Sequence, residues 1–267
     1  MIAGLRRYEI NKIRQDLRGW YNRPCGQLLL EEERRQLDEI LSTLFGFHIL
    51  QIGCLLGNDL MAASRVSHRV LLDPDIRGNE TLAPGVFAYP DALPIASDSV
   101  DVVLLPHTLE FERDPHQILR EVDRILIPEG YVVVLGFNPR SLWGVVRKLR
   151  GRKGRAPWCG DFLTMARIKD WVALLGFDVV SVRRHFYRPP VNNRVLMNRM
   201  RVLEKIGPHL WSRLSGAYIL VAQKRVATLT PLKPRWRPQR SLAGGLVGSG
   251  SQNTSSTKEC RMKGSSN

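Results

Sequence analysis

The stretch Ile49-Leu50-Gln51-Ile52-Gly53-Cys54-Leu55-Leu56-Gly57 joins a short apolar run to two glycines four residues apart. The run predicts a buried strand that ends at Gly53, followed by a helix from about Asn58. Glycines at such a turn let the backbone approach a ligand closely. The alternative interpretation is a plain strand-to-helix turn, because two glycines at this spacing are common.

An acidic residue, Asp73, ends the next apolar run, Val70-Leu71-Leu72. It follows the first glycine of the loop by about 20 residues, the spacing at which a carboxylate binds the ribose hydroxyls in Rossmann-like folds. The alternatives are a turn aspartate before Pro74 and Asp75 as the ribose ligand.

Short apolar runs recur along the chain and alternate with helical patterns. Predicted strands lie at His48–Ile52, Arg69–Leu72, Val86–Ala88, Val100–Leu105, Tyr131–Phe137, Asp178–His185 and Ala217–Gln223. Predicted helices cover Glu31–Leu44, a segment that starts at Asp114-Pro115, and about Met165–Leu175. This alternation predicts an α/β fold with a mostly parallel sheet, in which the last two strands form an antiparallel pair.

Two longer motifs resemble a known family. They are Tyr89-Pro90-Asp91-Ala92-Leu93-Pro94, followed by Asp98-Ser99-Val100-Asp101-Val102-Val103, and Arg120-Glu121-Val122-Asp123-Arg124-Ile125-Leu126-Ile127-Pro128-Glu129-Gly130. Both are similar to the class I S-adenosylmethionine (SAM)-dependent methyltransferases of the type 11 group, over roughly residues 48–137 and more loosely to about 224. The resemblance implies a Rossmann-like three-layer sandwich, with a seven-stranded, mostly parallel sheet that ends in an antiparallel hairpin. It also implies SAM as the cofactor and transfer of its methyl group to an unknown acceptor.

The resemblance assigns cofactor contacts to particular residues. It places the amino-acid part of SAM at Gly53 and Gly57, the ribose at Asp73, and the adenine at the segment Asp91-Ala92. Gln51 stands where the family has Glu or Asp near the methionine ammonium, and Leu55 replaces the middle glycine. These two departures favour an alternative, a Rossmann-like binding protein without catalytic activity.

His107 follows the fourth predicted strand, at the edge of the sheet where ligands of open α/β folds bind. We expect it to contact the cofactor or the substrate, and it is the hypothetical catalytic base if the acceptor is protonated. Glu110 is a weaker candidate for the same pocket. The alternative is a loop histidine with a structural hydrogen bond.

The charge of the chain suggests another class of partner. The 267 residues carry a formal charge of +15, and residues 140–213 contain 17 Lys and Arg against 4 Asp and Glu. Such a surface attracts nucleic acid, anionic lipid or an acidic partner. A nucleic-acid-associated methyltransferase is therefore a second alternative, beside a merely solvated basic surface.

The remaining features concern location and domain organisation. The cysteines Cys25, Cys54, Cys159 and Cys260 show no CxxC spacing, which argues against a metal site and for a reducing cytoplasm. We expect neither a secretory signal nor a transmembrane segment, because no apolar run approaches about 18 residues. The expected organisation is an N-terminal extension over 1–30, the methyltransferase domain over 31–225, and a disordered tail over 226–267 that is basic and Pro-rich, then Gly/Ser-rich.

Overall fold

A computed structural model describes residues 2–53, 60–74, 85–150, 155–200 and 202–225 of the chain. Its centre is a seven-stranded sheet in the order β3-β2-β1-β4-β5-β7-β6. The strands are β1 (His48–Ile52), β2 (His68–Leu72), β3 (Gly85–Val86), β4 (Val100–Pro106), β5 (Leu126–Phe137), β6 (Phe177–His185) and β7 (Ala217–Lys224). The first five pair in parallel, and β7 lies antiparallel between β5 and β6. The predicted Rossmann-like sheet with a final antiparallel hairpin is therefore confirmed.

Helices cover both faces of this sheet. They are α1 (Ile2–Tyr21), α2 (Pro24–Leu41), α3 (Thr108–Phe111), α4 (Pro115–Ile125), α5 (Leu142–Arg150), α6 (Met165–Leu174), α7 (Arg194–Arg199) and α8 (Val202–Leu210). Side chains of α1, α2 and α5 pack in one buried cluster, and those of α4 and α6 pack in another. None of these helices is long and apolar enough to cross a membrane, within the part of the chain that the structure describes.

Two helix starts follow the sequence signals closely. The Asp114 carboxylate accepts a hydrogen bond from the Gln117 N–H at 3.0 Å, and Pro115 occupies the first helical position of α4. The Thr164 hydroxyl accepts one from the Arg167 N–H at 3.3 Å, at the start of α6. Both caps satisfy an N–H that has no partner within its helix.

The N-terminal region differs from the prediction. The helix expected to begin at Glu31 begins at Pro24, so the boundary expected at residue 30 lies inside α2. Leu17, Trp20 and Tyr21 of α1 are also buried, with at most 4% of each residue exposed. The region expected to be an extension thus supplies part of the core, because its apolar side chains cover one face of the sheet.

Several predicted features lie outside the described residues. They are Leu55 and Gly57 of the glycine loop, the alternative ribose ligand Asp75, and the tail over 226–267.

Candidate active site

A small cavity lies where the carboxyl ends of β1, β2 and β4 meet. Its volume is about 20 Å³, and its lining consists of Arg14, Leu17, Gly53, Asp73, Pro106, His107, Thr108 and Phe111. This volume holds about one water molecule. Three predicted site residues, Gly53, Asp73 and His107, therefore come together at the edge of the sheet where Rossmann-like folds bind ligands.

Gly53 adopts a backbone conformation that favours glycine. Its φ is +95°, and a Cβ atom there would lie 3.0 Å from the Thr108 Oγ1 atom. Its N–H donates to the Leu72 carbonyl at 2.8 Å, and the Thr108 hydroxyl donates to the Ile52 carbonyl at 2.6 Å. Gly53 is therefore needed for both its conformation and its close contact with the start of α3.

Asp73 is buried at the end of β2 and faces two cations from α1. Its side chain is 1% exposed, and its carboxylate lies 3.7 Å from Arg14 and 3.5 Å from Arg18. Arg14 also forms an ion pair with Glu112, after α3. The Nη1 atom of Arg14 is nevertheless buried without a hydrogen-bond partner among the described residues. The cavity wall thus carries a buried N–H donor that is available to a bound anion or water.

The side chain of Gln51 closes the glycine loop. Its Nε2 atom donates to the Gly53 carbonyl at 3.1 Å, and its Oε1 atom accepts from the Leu60 N–H at 3.1 Å. An amide can donate and accept at once, whereas a carboxylate can only accept. The replacement of the family's acidic residue by Gln51 therefore suits a structural role between the two ends of the loop.

Asp91 and Ala92 are exposed and lie on a segment that α4 holds in place. The Glu121 carboxylate accepts the Leu93 N–H at 3.1 Å. Arg124 donates to the carbonyls of Leu93 and Ile95 at 3.0 and 2.8 Å. Glu121 and Arg124 of the second motif thus hold the backbone of the first motif just after Asp91 and Ala92.

Asp91 and Asp73 both act on the carboxyl group of Glu112. Burial raises the pKa of Glu112, and the carboxylates of Asp91 and Asp73 raise it further, against the lowering effect of Arg14. The two residues predicted to bind ribose and adenine therefore both act on the carboxylate that pairs with Arg14.

His107 lies between two buried carboxylates. It has a left-handed φ of 52°, and its ring nitrogens lie 2.7 Å from Glu33 and 2.9 Å from Glu110. Burial lowers the pKa of His107, but the two carboxylates outweigh that effect and raise it to about 10. Glu110 also accepts the Phe137 N–H, and the Tyr21 hydroxyl donates to Glu33 at 3.4 Å.

This geometry does not support the base role predicted for His107. A base must have an unprotonated nitrogen facing the substrate, whereas each ring nitrogen here lies within hydrogen-bond distance of a buried carboxylate, which favours the protonated ring. His107 and Glu110 instead join the end of β4 to α2 and β5 through Glu33 and Phe137. The alternative of a structural histidine describes this arrangement better.

Four charged residues around the site were not predicted from the sequence, namely Arg14, Arg18, Glu33 and Glu112. Glu33 lies 74 residues from His107 along the chain, and Arg14 lies 98 residues from Glu112. One signal was available, since Arg14, Leu17, Arg18 and Tyr21 recur at helical spacing. No group of three His, Cys, Asp or Glu side chains stands ready for a metal ion within the described ranges.

Comparisons with known proteins bear on the family and the fold. A family model described as a methyltransferase domain matches residues 50–134. The uncharacterized protein YafS of Escherichia coli K12 is 35% identical over 218 residues, which cover 80% of this chain and 84% of YafS. A SAM-dependent methyltransferase from Thermotoga maritima superposes with a TM-score of 0.52 at 17% identity, covering 71% of this chain and 88% of that one. Another SAM-dependent methyltransferase, from Archaeoglobus fulgidus, superposes with a TM-score of 0.51 at 17% identity, covering 73% of this chain and 93% of that one. At these identities the two structures show a shared fold.

Proposed function

We propose roles for the site residues from one premise, that the chain belongs to the class I SAM-dependent methyltransferases. The cavity beside Gly53 is then the cofactor site, and the observation that carries this assignment is the buried Asp73 carboxylate beside a glycine at φ +95°. Gly53 lets the backbone approach the amino-acid part of SAM. Asp73 accepts hydrogen bonds from the ribose hydroxyls, and Asp91 binds the adenine amine.

The residues present fit this cofactor chemically. SAM carries a carboxylate on its methionine part, and Arg14, whose Nη1 atom lies 3.7 Å from Asp73 but makes no hydrogen bond, lines the same cavity. We assign that carboxylate to Arg14, since a charge-assisted hydrogen bond would satisfy the buried donor. SAM is far larger than this cavity, so the cavity walls must separate when it binds. One of these walls is α1, whose Arg14 and Leu17 line the cavity.

The bound cofactor supplies an activated methyl group on a sulfonium. The protein positions that group and excludes water, which Leu17 and Phe111 do by covering the cavity with apolar surface. His107 holds its protons against Glu33 and Glu110, so it takes none from the acceptor. The site therefore suits an acceptor atom whose lone pair is free at neutral pH.

Calorimetric titration with SAM and with its demethylated product tests this proposal. Asp73→Asn keeps the side-chain shape but removes the charge, and we expect it to weaken SAM binding at least tenfold. Asp170→Asn is the matched control, because Asp170 is exposed on α6. Absence of binding to the folded wild-type protein at millimolar SAM would contradict the proposal, as would equal affinities of the two variants.

A second candidate function is ligand binding without methyl transfer. It is favoured by His107, which two carboxylates hold and which therefore offers no base, and by Gln51, which stands where the family has an acidic residue. Incubation with SAM that carries a tritiated methyl group separates the two. Label transferred to a small-molecule or RNA extract supports the enzyme, whereas SAM binding without transfer to either extract supports the binding protein.

A further inference from the structure

A second and larger cavity lies at the carboxyl end of β5, beside the start of α6. Its volume is about 360 Å³, and its lining consists of Asn138, Arg140, Thr164, Met165, Ala166, Lys169, Arg184 and Arg213. A volume of this size suits a small molecule or part of one. The cavity is therefore large enough for a ligand that the first cavity does not accommodate.

The charge of this lining is entirely positive. Four of its side chains are cations, and its lining includes no carboxylate. No ion pair joins Arg140, Lys169, Arg184 or Arg213 to a carboxylate within the described part of the chain. The first N–H groups of α6 have no partner within their helix and add positive potential. Four uncompensated cations around one concave site attract an anion.

Asn138 fixes this arrangement from the end of β5. Its Nδ2 atom donates to the carbonyls of Arg213 and Ser215, each at 2.9 Å, and its Oδ1 atom accepts the Arg140 N–H at 3.0 Å. One side chain thus holds the backbone of two of the four cations. The backbone positions of Arg140 and Arg213 are therefore set by the fold, while their side chains are exposed.

The cationic cavity lies at the same carboxyl edge of the sheet as the candidate cofactor site. Asn138 directly follows Phe137, whose ring centroid lies 4.1 Å from that of His107. His107 in turn lines the cavity beside Asp73. This edge therefore carries both cavities, as one molecule that reaches from the cationic cavity to the cofactor would require.

We propose that this cavity binds the anionic group, a phosphate or a carboxylate, of a small-molecule methyl acceptor. That the ligand is a methyl acceptor rests on the proposed function, whereas the anion site itself does not. A concave site of this volume favours a compact oxyanion over a nucleic-acid strand, which needs an extended basic groove. The basic surface predicted from the sequence thereby acquires a defined ligand class.

The test measures binding of inorganic pyrophosphate and of citrate to the full chain by calorimetry. The double variant Arg140→Gln/Arg213→Gln removes two exposed cations of the lining. The control Arg23→Gln/Arg120→Gln removes the same charge from two exposed arginines elsewhere, one before α2 and one on α4. We expect at least tenfold weaker binding of either anion in the first variant, less than twofold change in the control, and weaker binding at high salt.

The outcomes separate this inference from the proposed function, because SAM binding is measured on the same samples. Anion binding that only the lining variant loses supports the cavity, even if wild-type protein does not bind SAM. Failure of both anions to bind a protein that binds SAM overturns it, as does equal weakening in the control. Tighter binding of a single-stranded RNA than of either anion, lost in the lining variant, would assign the cavity to nucleic acid and overturn the small-molecule proposal.

Discussion

The variant Glu33→Gln tests the charged state of the buried Glu33–His107–Glu110 cluster. It keeps the shape of the side chain and an oxygen that can accept from His107, but it removes one of the two charges that hold the imidazolium. Loss of one partner of a buried ion pair costs about 3–5 kcal/mol. We expect a loss near the lower end of that range, about 3 kcal/mol of unfolding free energy at pH 6.5, because the hydrogen bond survives.

The pH dependence of this loss follows from the pKa of His107. In the folded protein it is about 10, against 6.5 for a free histidine. A raised pKa contributes stability that is complete below pH 6.5 and is lost as the pH rises toward 10. Each pH unit in that interval removes about 1.4 kcal/mol, so His107 lowers wild-type stability by at most about 4 kcal/mol between pH 6.5 and 9.5. Since Glu33→Gln lowers the pKa of His107, the difference between wild type and variant must shrink with rising pH.

Urea unfolding at pH 6.5 and 9.5 measures the stability that Glu33→Gln loses and the change of that loss with pH. Glu31→Gln is the matched control, because Glu31 is an exposed residue of the same helix. We expect this control to change stability by no more than about 0.5 kcal/mol, as is usual at such surface sites. If wild type and Glu33→Gln lose stability in parallel between the two pH values, His107 is not held as an imidazolium by Glu33, and a base role for it becomes open again.

Three further substitutions test the loop and the adenine segment. Gln51→Glu removes the donor to the Gly53 carbonyl, so we expect the free energy of unfolding, measured with urea, to fall by about 1–3 kcal/mol. Unchanged stability would contradict the bridging role of Gln51. Gly53→Ala should lower the free energy of unfolding by about 1–3 kcal/mol, because of the positive φ and the close contact with α3. Gly19→Ala has open space around it and should raise the free energy of unfolding by about 0.5–1 kcal/mol. Equal effects of the two variants would show that Gly53 is not needed for its conformation. Arg124→Gln should weaken SAM binding in calorimetry because the Asp91 segment loses two anchors, and an unchanged affinity would show that the segment does not bind the cofactor.

The sheet was predictable because its strands are buried on both faces, which leaves continuous apolar runs such as Val100–Leu105. The caps at Asp114 and Thr164 were predictable for a similar reason, since each satisfies an N–H of the first helical turn that follows it. The charged contacts of the site were not. A buried carboxylate such as Glu33 is stable only through a partner that lies far along the chain, and no local pattern announces that partner. The sequence thus placed His107 correctly at the edge of the sheet but not its charge state.

The position of α1 and α2 has a consequence for how the chain is made. In the order of synthesis these helices precede the groups that neutralise their buried charges, Asp73, His107 and Glu112. Until β4 and α3 are synthesised, Trp20 and the neighbouring apolar side chains have no sheet to cover. The apolar side chains of α1 and α2 therefore lack their packing partners until those strands follow, and we expect this segment to be prone to aggregation during synthesis.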